Sequence, residues 1–316
     1  MRRGLILPWG EKMENKIVCI GAVNVDTILY VKDFCGDDGE EVIKDKQVFS
    51  GGQAGNVAAG LGKLGKNAFF VGNIGDDENT SMLLKDFDDC NVDYSLAKKT
   101  CNPNNSVYSL VETGGERRMY TYNNVDLNLD DFPEEVYENT SFIVFTSLIK
   151  DGVIDLYVEI AKKAKKSGIK IALDPGNIFA RLGFEKLKPL LELCDYIFPS
   201  LNEVDLMVGG IENVSRLREI VPNIIVTCGG KGVRFYSGNN EGHIPVFGKI
   251  QVVDTTGAGD CFAAAFISTL IDGGDVRAAI DFAIYAGRLS ISKKGARSMP
   301  EREEVVKFMK DSLSSI

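Results

Sequence analysis

The sequence predicts an α/β fold: a central, mostly parallel sheet flanked by helices on both faces, with a small β-sheet lid. Three observations lead there. Short apolar runs rich in β-branched and aromatic residues alternate with segments of helical period, the pattern of parallel strands covered on both faces. Two stretches, 32–49 and 95–123, instead alternate polar and apolar residues with no intervening helix, which marks a half-exposed sheet. At 316 residues, 44% of them hydrophobic and 26% charged, the chain suffices for one large core plus such an appendage.

Taken in order, residues 1–15 read as an N-terminal extension. The apolar patch in MRRGLILPWG is too short for a signal sequence, which argues against export, and Met13 is a candidate start. Runs at 17–25, 68–71, 142–146, 169–173, 196–198 and 224–227 are the expected buried strands. Helical periods cover 56–64, 79–90, 153–167, 186–193 and 203–208, then 258–271, 276–290 and 302–313. Residues 16–316 are therefore expected to form one domain, with the β-lid from about 28–50 and 95–125. Such a lid would serve to expel water from a site beneath it.

Composition excludes several classes. A net charge of −9 with no basic stripe argues against nucleic acid and anionic lipid. No segment approaches the roughly 20 apolar residues that span a membrane. The seven cysteines are scattered and never spaced CxxC, which fits a reducing cytoplasm and neither a disulfide framework nor a zinc cluster. The single histidine, His243, lies in a polar stretch expected to be an exposed loop. Its isolation excludes a Ser–His–Asp hydrolase and multi-histidine metal sites, so proton chemistry falls to carboxylates.

The most informative segment is DTTGAGD, residues 254–260, opening onto the apolar run CFAAAFISTLI. Gly257, Ala258 and Gly259 would form a loop at a helix N-terminus, where free N–H groups and the dipole attract anions. Asp260 falls in the first turn, and a carboxylate there would repel a bound phosphate unless it handles a proton. Phosphoryl transfer to a hydroxyl, with Asp260 as base, satisfies both features; a simple Asp N-cap on a Gly-rich turn is the alternative. A second glycine-rich stretch, SGGQAGNVAAGLGKLG at 50–65, places Gly51, Gly52 and Asn56 where a ligand is approached, although tight helix packing also explains its small residues. There is no GxGxxG after the first strand and no GxxxxGK[ST] anywhere, which argues against a dinucleotide oxidoreductase and a P-loop enzyme.

These motifs together resemble the ribokinase-like (PfkB) family of carbohydrate kinases over residues 16–310. The resemblance rests on GAVNVD at 21–26, SGGQAGN at 50–56, GNIGDD at 72–77, NEVD at 202–205, TCGGKGV at 227–233 and DTTGAGD at 254–260. It implies ATP as donor, Mg2+ as metal and a hydroxymethyl acceptor. By position, Asp260 resembles the family's base, and the 257–259 backbone its anion hole. Asn24, Asp26, Gly51, Gly52, Gln53 and Asn56 resemble its acceptor pocket. Asn202, Thr227, Gly229 and Gly232 resemble its nucleotide site. The family's NxxE motif reads NEVD here, so Glu203 and Asp205 are both candidates for the metal. Asp254 and Thr256 resemble a monovalent-cation loop that would take K+.

The substrate expected from these residues is a neutral sugar such as ribose or fructose. Ribokinase-like members carry Lys in a GGKGAN stretch where this chain has Gln53, and the adjacent Arg117 and Arg118 are expected on a solvated face. A nucleoside kinase is the alternative, with Tyr108, Tyr120 and Tyr122 of the lid stacking on a base. A 6-phosphofructokinase, a 2-keto-3-deoxygluconate kinase and a non-catalytic sugar- or nucleotide-binding protein are further alternatives. An open-edged lid sheet would also suit a homodimer interface.

Overall fold

Alternation in the first strand sets up a core in two layers. In Lys16–Ile20, Ile17 and Cys19 turn into one apolar cluster while Val18 and Ile20 turn into the other, as period-two side chains must. The computed structural model describes residues 16–246, 248 and 250–313, so the expected extension 1–15 lies outside the described residues. Nine strands form the main sheet. Their spatial order is Asn240–Ile244, Val233–Ser237, Asn223–Thr227, Tyr196–Ile197, Lys170–Asp174, Thr140–Thr146, Lys16–Ile20, Ala68–Val71 and Val92–Asp93. All pairs are parallel except the two made by the hairpin at the 233–244 edge.

Helices Gln53–Lys63, Ala258–Ile271 and Val276–Ser290 contribute to the first cluster. Helices Val153–Lys166, Phe184–Leu191 and Leu201–Val208 contribute to the second. Ala258–Ile271 is apolar all round, with every residue from Cys261 to Ser268 buried, as a helix through a core must be. Phe266 meets Phe198 and Tyr196 edge-on at 5.2 and 5.9 Å, which anchors the helix and hence the loop before it. All seven cysteines are free. Among the described residues no helix is long and apolar enough to cross a membrane.

The four-stranded small sheet departs from expectation in its boundaries. The run expected as one strand over 17–25 breaks at 21–23, and Asn24–Tyr30 opens the small sheet. At the break the backbone packs closely on the neighbouring strand: a Cβ at Gly21 would lie 2.1 Å from Thr146 Oγ1, so the position takes glycine. The order is Asp45–Gly51, Asn24–Tyr30, Asn105–Val111, Arg117–Tyr122. It therefore starts at Asn24, not near 28, and its second limb starts at Asn105, not near 95. Lys98–Lys99 pairs elsewhere, with Asn73–Ile74.

Register decides which residues face together. Asn24, Asp26, Phe49, Gly51, Asn105, Val107, Thr121 and Arg117 share one face; Val25, Thr27, Tyr108, Tyr120, Tyr122 and Arg118 share the other. Tyr108, Tyr120 and Tyr122 thus lie on the face opposite Asp26, which overturns the expectation that they stack on a bound base. Arg118 lies over the Phe34 ring at 4.3 Å. His243 sits in the strand Asn240–Ile244, not in a loop; it is exposed, with Nε2 2.7 Å from the Lys231 carbonyl.

Candidate active site

The loop before Ala258–Ile271 is shaped by one obligatory glycine. Gly257 caps the helix at φ 75°, in the left-handed region that side chains disfavour, and a Cβ there would lie 2.4 Å from the Ala296 carbonyl oxygen. Gly257 offers no side-chain cap, so the N–H groups of Gly259 and Asp260 have no intrahelical acceptor and form an anion-seeking cradle. Gly259 differs from Gly257: it is exposed, and a Cβ there would meet nothing within 4 Å.

Asp260 lies in the first turn of this helix. Its carboxylate accepts a hydrogen bond from Asn56 Nδ2 at 2.8 Å, across 204 residues of sequence. Burial pushes its pKa up to about 7; the Asn56 bond opposes that rise, while Asp26 and Glu203 add to it. A carboxyl so placed exchanges a proton near neutrality, as a general base requires.

Of the six predicted acceptor residues, Asn56 and Asp26 act on this carboxyl directly, and Asn24, Gly51, Gly52 and Gln53 adjoin those two in sequence and register. They lie beyond the C-terminal ends of Lys16–Ile20 and Thr140–Thr146, where the strand order reverses and α/β sheets open a crevice. Asn24 and Asp26 are half-buried at the base of the small sheet. A Cβ at Gly51 would lie 2.1 Å from Asp26 Oδ2, so glycine is needed for the strands to approach. Burial pushes the Asp26 pKa up to about 7, with Arg297 opposing. Gly52 caps Gln53–Lys63, and Gln53 Oε1 accepts from both N–H and Oγ of Ser147 at 3.1 Å.

The remaining predicted residues divide. Thr227 ends its strand half-buried, and Gly229 follows, exposed at φ 55° with open space around it. Gly232 is instead buried, its Cα facing the Ile244 carbonyl. Asn202 is exposed and donates to Asn177 Oδ1 at 2.8 Å. Glu203 is buried and closes a capping box with Ser200, its Oε2 accepting the Ser200 N–H at 2.7 Å. Asp205 is exposed on the same helix. Among the described residues no three His, Cys, Asp or Glu side chains are grouped to hold a metal ion; Glu203 is engaged with Ser200, and Asp205 is open to solvent. Asp254 accepts from Thr256 N–H and Oγ1 at 2.9 and 2.7 Å and from Gly295 N–H at 3.0 Å. Burial works against its charge, but these bonds prevail and hold its pKa below the usual carboxylate range.

Three residues, Asp174, Ser147 and Arg297, escaped the sequence reading, and so did the placing of Arg117. Asp174, at the end of Lys170–Asp174, is buried; desolvation first, then Glu203 and Asp260, raise its pKa well above the usual range. Ser147 holds Gln53. Arg117 is exposed, as expected; what the sequence did not show is that it lies on the Asp26 face of the small sheet and is felt electrostatically by Asp254. Arg297 lies behind Gly51. Position at a parallel strand's C-terminal end was a usable signal for Asp174 and Ser147; nothing local marked the two arginines. The GNIGDD motif proves to be an anchor, since Asp77 accepts from Asn104 N–H and Nδ2 at 2.8 and 2.9 Å and thereby fixes the start of Asn105–Val111.

Comparison with known proteins identifies the family. The chain is 30% identical over 307 residues to an ATP-dependent ribose-1-phosphate kinase of Halopiger xanaduensis, covering 94% of this chain and 98% of that one. It is 30% identical over 313 residues to a ribokinase of Staphylococcus aureus, covering 93% and 99%. Among solved structures, Arabidopsis thaliana ribokinase complexed with ribose and ATP superposes with a TM-score of 0.81 at 25% identity, covering 94% of this chain and 99% of that one. The family model for pfkB family carbohydrate kinases matches residues 14–303. The chain belongs to that family and is a sugar kinase.

Proposed function

We propose that this protein transfers the γ-phosphoryl group of ATP to a hydroxymethyl group of a small neutral sugar of the ribose or fructose type, with Asp260 as general base. The observation that carries this reading is the Asn56–Asp260 hydrogen bond. It joins the helix that opens the acceptor side to the helix whose N-terminus would hold the phosphoryl group. The sugar oxygen attacks the γ-phosphorus as Asp260 takes its proton, the bond to the bridging oxygen breaks, and ADP leaves. Backbone N–H groups of 257–259 stabilise the charge that develops on the phosphoryl oxygens. Asn24 and Asp26 orient the acceptor hydroxyls, with Gly51, Gly52 and Asn56 completing the pocket. Thr227 and Gly229 face the nucleotide. Magnesium is assigned to the nucleotide's own phosphates, and Asp254 with Thr256 to holding the loop.

A neutral acceptor is favoured by where the arginines lie. Arg117 alone faces the cleft from the small sheet, Arg118 is turned onto Phe34, and Arg297 is sealed behind Gly51. Among the described residues no pair of arginines is set in the cleft to take a sugar phosphate. ADP release from Mg-ATP, measured against ribose, fructose, ribose 1-phosphate, fructose 6-phosphate, 2-keto-3-deoxygluconate, adenosine and cytidine, tests this. Turnover on ribose or fructose that Asp260→Asn abolishes supports it; preference for a phosphorylated sugar or a nucleoside refutes the substrate, and ligand binding without turnover refutes the enzyme.

The face of the small sheet carrying Tyr108, Tyr120 and Tyr122 exposes 43%, 58% and 48% of those residues beside the open edge strand Arg117–Tyr122. The partner we assign to it is a second copy of this chain.

A further inference from the structure

Arg297 is a buried cation with no ordinary reason to be one. Its side chain is 8% exposed. The guanidinium lies 4.7 Å from the Phe87 ring centroid, Nη1 stands 3.8 Å from Asp86, and Nη2 donates to the Gly51 carbonyl at 3.5 Å. Nε and Nη1 have no hydrogen-bond partner and are closed off from solvent, so no ligand reaches them. A desolvated charge left this way is costly unless another charge answers it.

Asp86 answers part of that charge from outside the pocket, and a second carboxylate faces it from the acceptor pocket. Asp26 Oδ1 is likewise buried without a hydrogen-bond partner, and Asp26 and Arg297 interact electrostatically. Gly51 lies at their junction. Asp26 packs where its side chain would be, and Arg297 binds its carbonyl. Beyond Arg297, the charged and titratable groups felt by these two are Asp260, which Asp26 faces across the cleft, and Asp86 with Cys90 beside the guanidinium. Lys63 binds the carbonyls of Arg297 and Met299 at 3.2 and 3.3 Å, fixing the loop that carries the arginine.

We propose that Arg297 is a positioning residue for acceptor binding: it is the fixed counter-charge of Asp26 and the clamp on the Gly51 carbonyl, and it governs affinity for the sugar more than the rate of transfer. The proposal rests on the reading of Asp26 as a ligand of the acceptor hydroxyls. The carboxylate that receives those hydroxyls must be charged and still, and Arg297 supplies both conditions from behind without touching the sugar.

The test compares wild type, Arg297→Gln, Arg297→Lys, Asp26→Asn and the Asp26→Asn/Arg297→Gln double variant on the sugar with the highest turnover. Removing one partner of a buried charge pair predicts a rise in sugar KM of about 10–100-fold for Arg297→Gln, with kcat within about fivefold. The KM for ATP stays within about twofold. The acid limb of kcat/KM moves to higher pH, and Arg297→Lys recovers most of the loss. In the Asp26→Asn background the second change adds less than about threefold, because its target is gone. A sugar KM unchanged in Arg297→Gln while Asp26→Asn raises it overturns the proposal and leaves the reading of Asp26 standing. Equal losses with and without Asp26 overturn it as well. A sugar KM unchanged in Asp26→Asn overturns both. Should Arg297→Gln fail to fold, Phe87→Leu carries the test by removing only the ring under the guanidinium; a rise in sugar KM alone supports the proposal, and parallel rises for sugar and ATP overturn it.

Discussion

Gly259→Ala separates what the fold needs from what the ligand needs. Within the protein nothing asks for glycine at this position: the residue is helical, exposed, and a Cβ would meet no atom within 4 Å. Glycine in a helix costs about 0.5–1 kcal/mol relative to alanine, so the substitution should stabilise the protein. With about 2.1 cal/mol/K of unfolding entropy per residue, that gain raises Tm by about 1–2 °C in a chain of this length. Catalysis should move the other way. The new methyl group would project into open space beside the cradle, where the phosphoryl group is proposed to sit, and pushing a phosphoryl oxygen off the Gly259 amide would forfeit one such donor, at a cost of about 10²–10³ in kcat. Differential scanning calorimetry and steady-state ADP release, run on the same preparation, read both quantities. A kcat within threefold of wild type would refute the argument, since the phosphoryl group would then not use this amide. Gly257→Ala is the control, because its φ of 75° and the 2.4 Å approach to Ala296 predict a lower Tm together with lower activity.

Other outcomes follow from the same site. Asp260→Asn should lower kcat by about 10²–10⁴, the range for loss of a general base, measured as ADP release at saturating sugar. Because Asp260 has a folded pKa near 7, above its unfolded value, its contribution to stability is full below the unfolded pKa and is lost as pH rises through about 7; Asp260→Asn should therefore raise Tm relative to wild type more at pH 8 than at pH 5. Asp26 and Asp260 are both pushed up to about 7, so kcat/KM should fall on the acid side with a slope approaching two and kcat with a slope of one, since bound sugar holds Asp26 ionised. Asn56→Ala should shift the acid limb of kcat to higher pH, because it removes the bond that favours the charged Asp260. Tyr120→Lys with Tyr122→Glu should convert a dimer to a monomer in light scattering; an unchanged mass would place the interface elsewhere.

What the sequence made legible were features with a local cause. Continuous apolar runs such as Ala68–Val71 and amphipathic helices such as Val153–Lys166 carry their own signal and agree closely with expectation. The 257–260 cradle was readable because two glycines, a small residue and an acid sit together at a helix start. The break at 21–23 was not readable: the close approach of Gly21 to Thr146, more than a hundred residues away, exists only in the folded chain. The tyrosines were misassigned for a related reason: alternation tells which residues share a face, but only register with the neighbouring strand tells which face Asp26 occupies. NEVD also reads differently once folded, since Glu203 spends its carboxylate on Ser200 while Asp205 points to solvent.

The residues that escaped share a physical character. Asp174, Ser147 and Arg297 hold other site residues, or bias their charge, through contacts made by the folded chain. Such a role leaves no spacing signature, because the required chemistry is a charge or a donor at a point in space that many chain positions can reach. The loop carrying Arg297 shows how much such a segment can do. Gly295 donates to Asp254 at 3.0 Å, Ala296 bears on Gly257, and Arg297 bears on Gly51. Three consecutive residues thus fix the loop before the anion cradle and the turn beneath the acceptor pocket. Both halves of the cleft are thereby held to one stretch of backbone, and in-line transfer requires that constraint, since a displacement of about 1 Å between attacking oxygen and phosphorus costs about a hundredfold in rate.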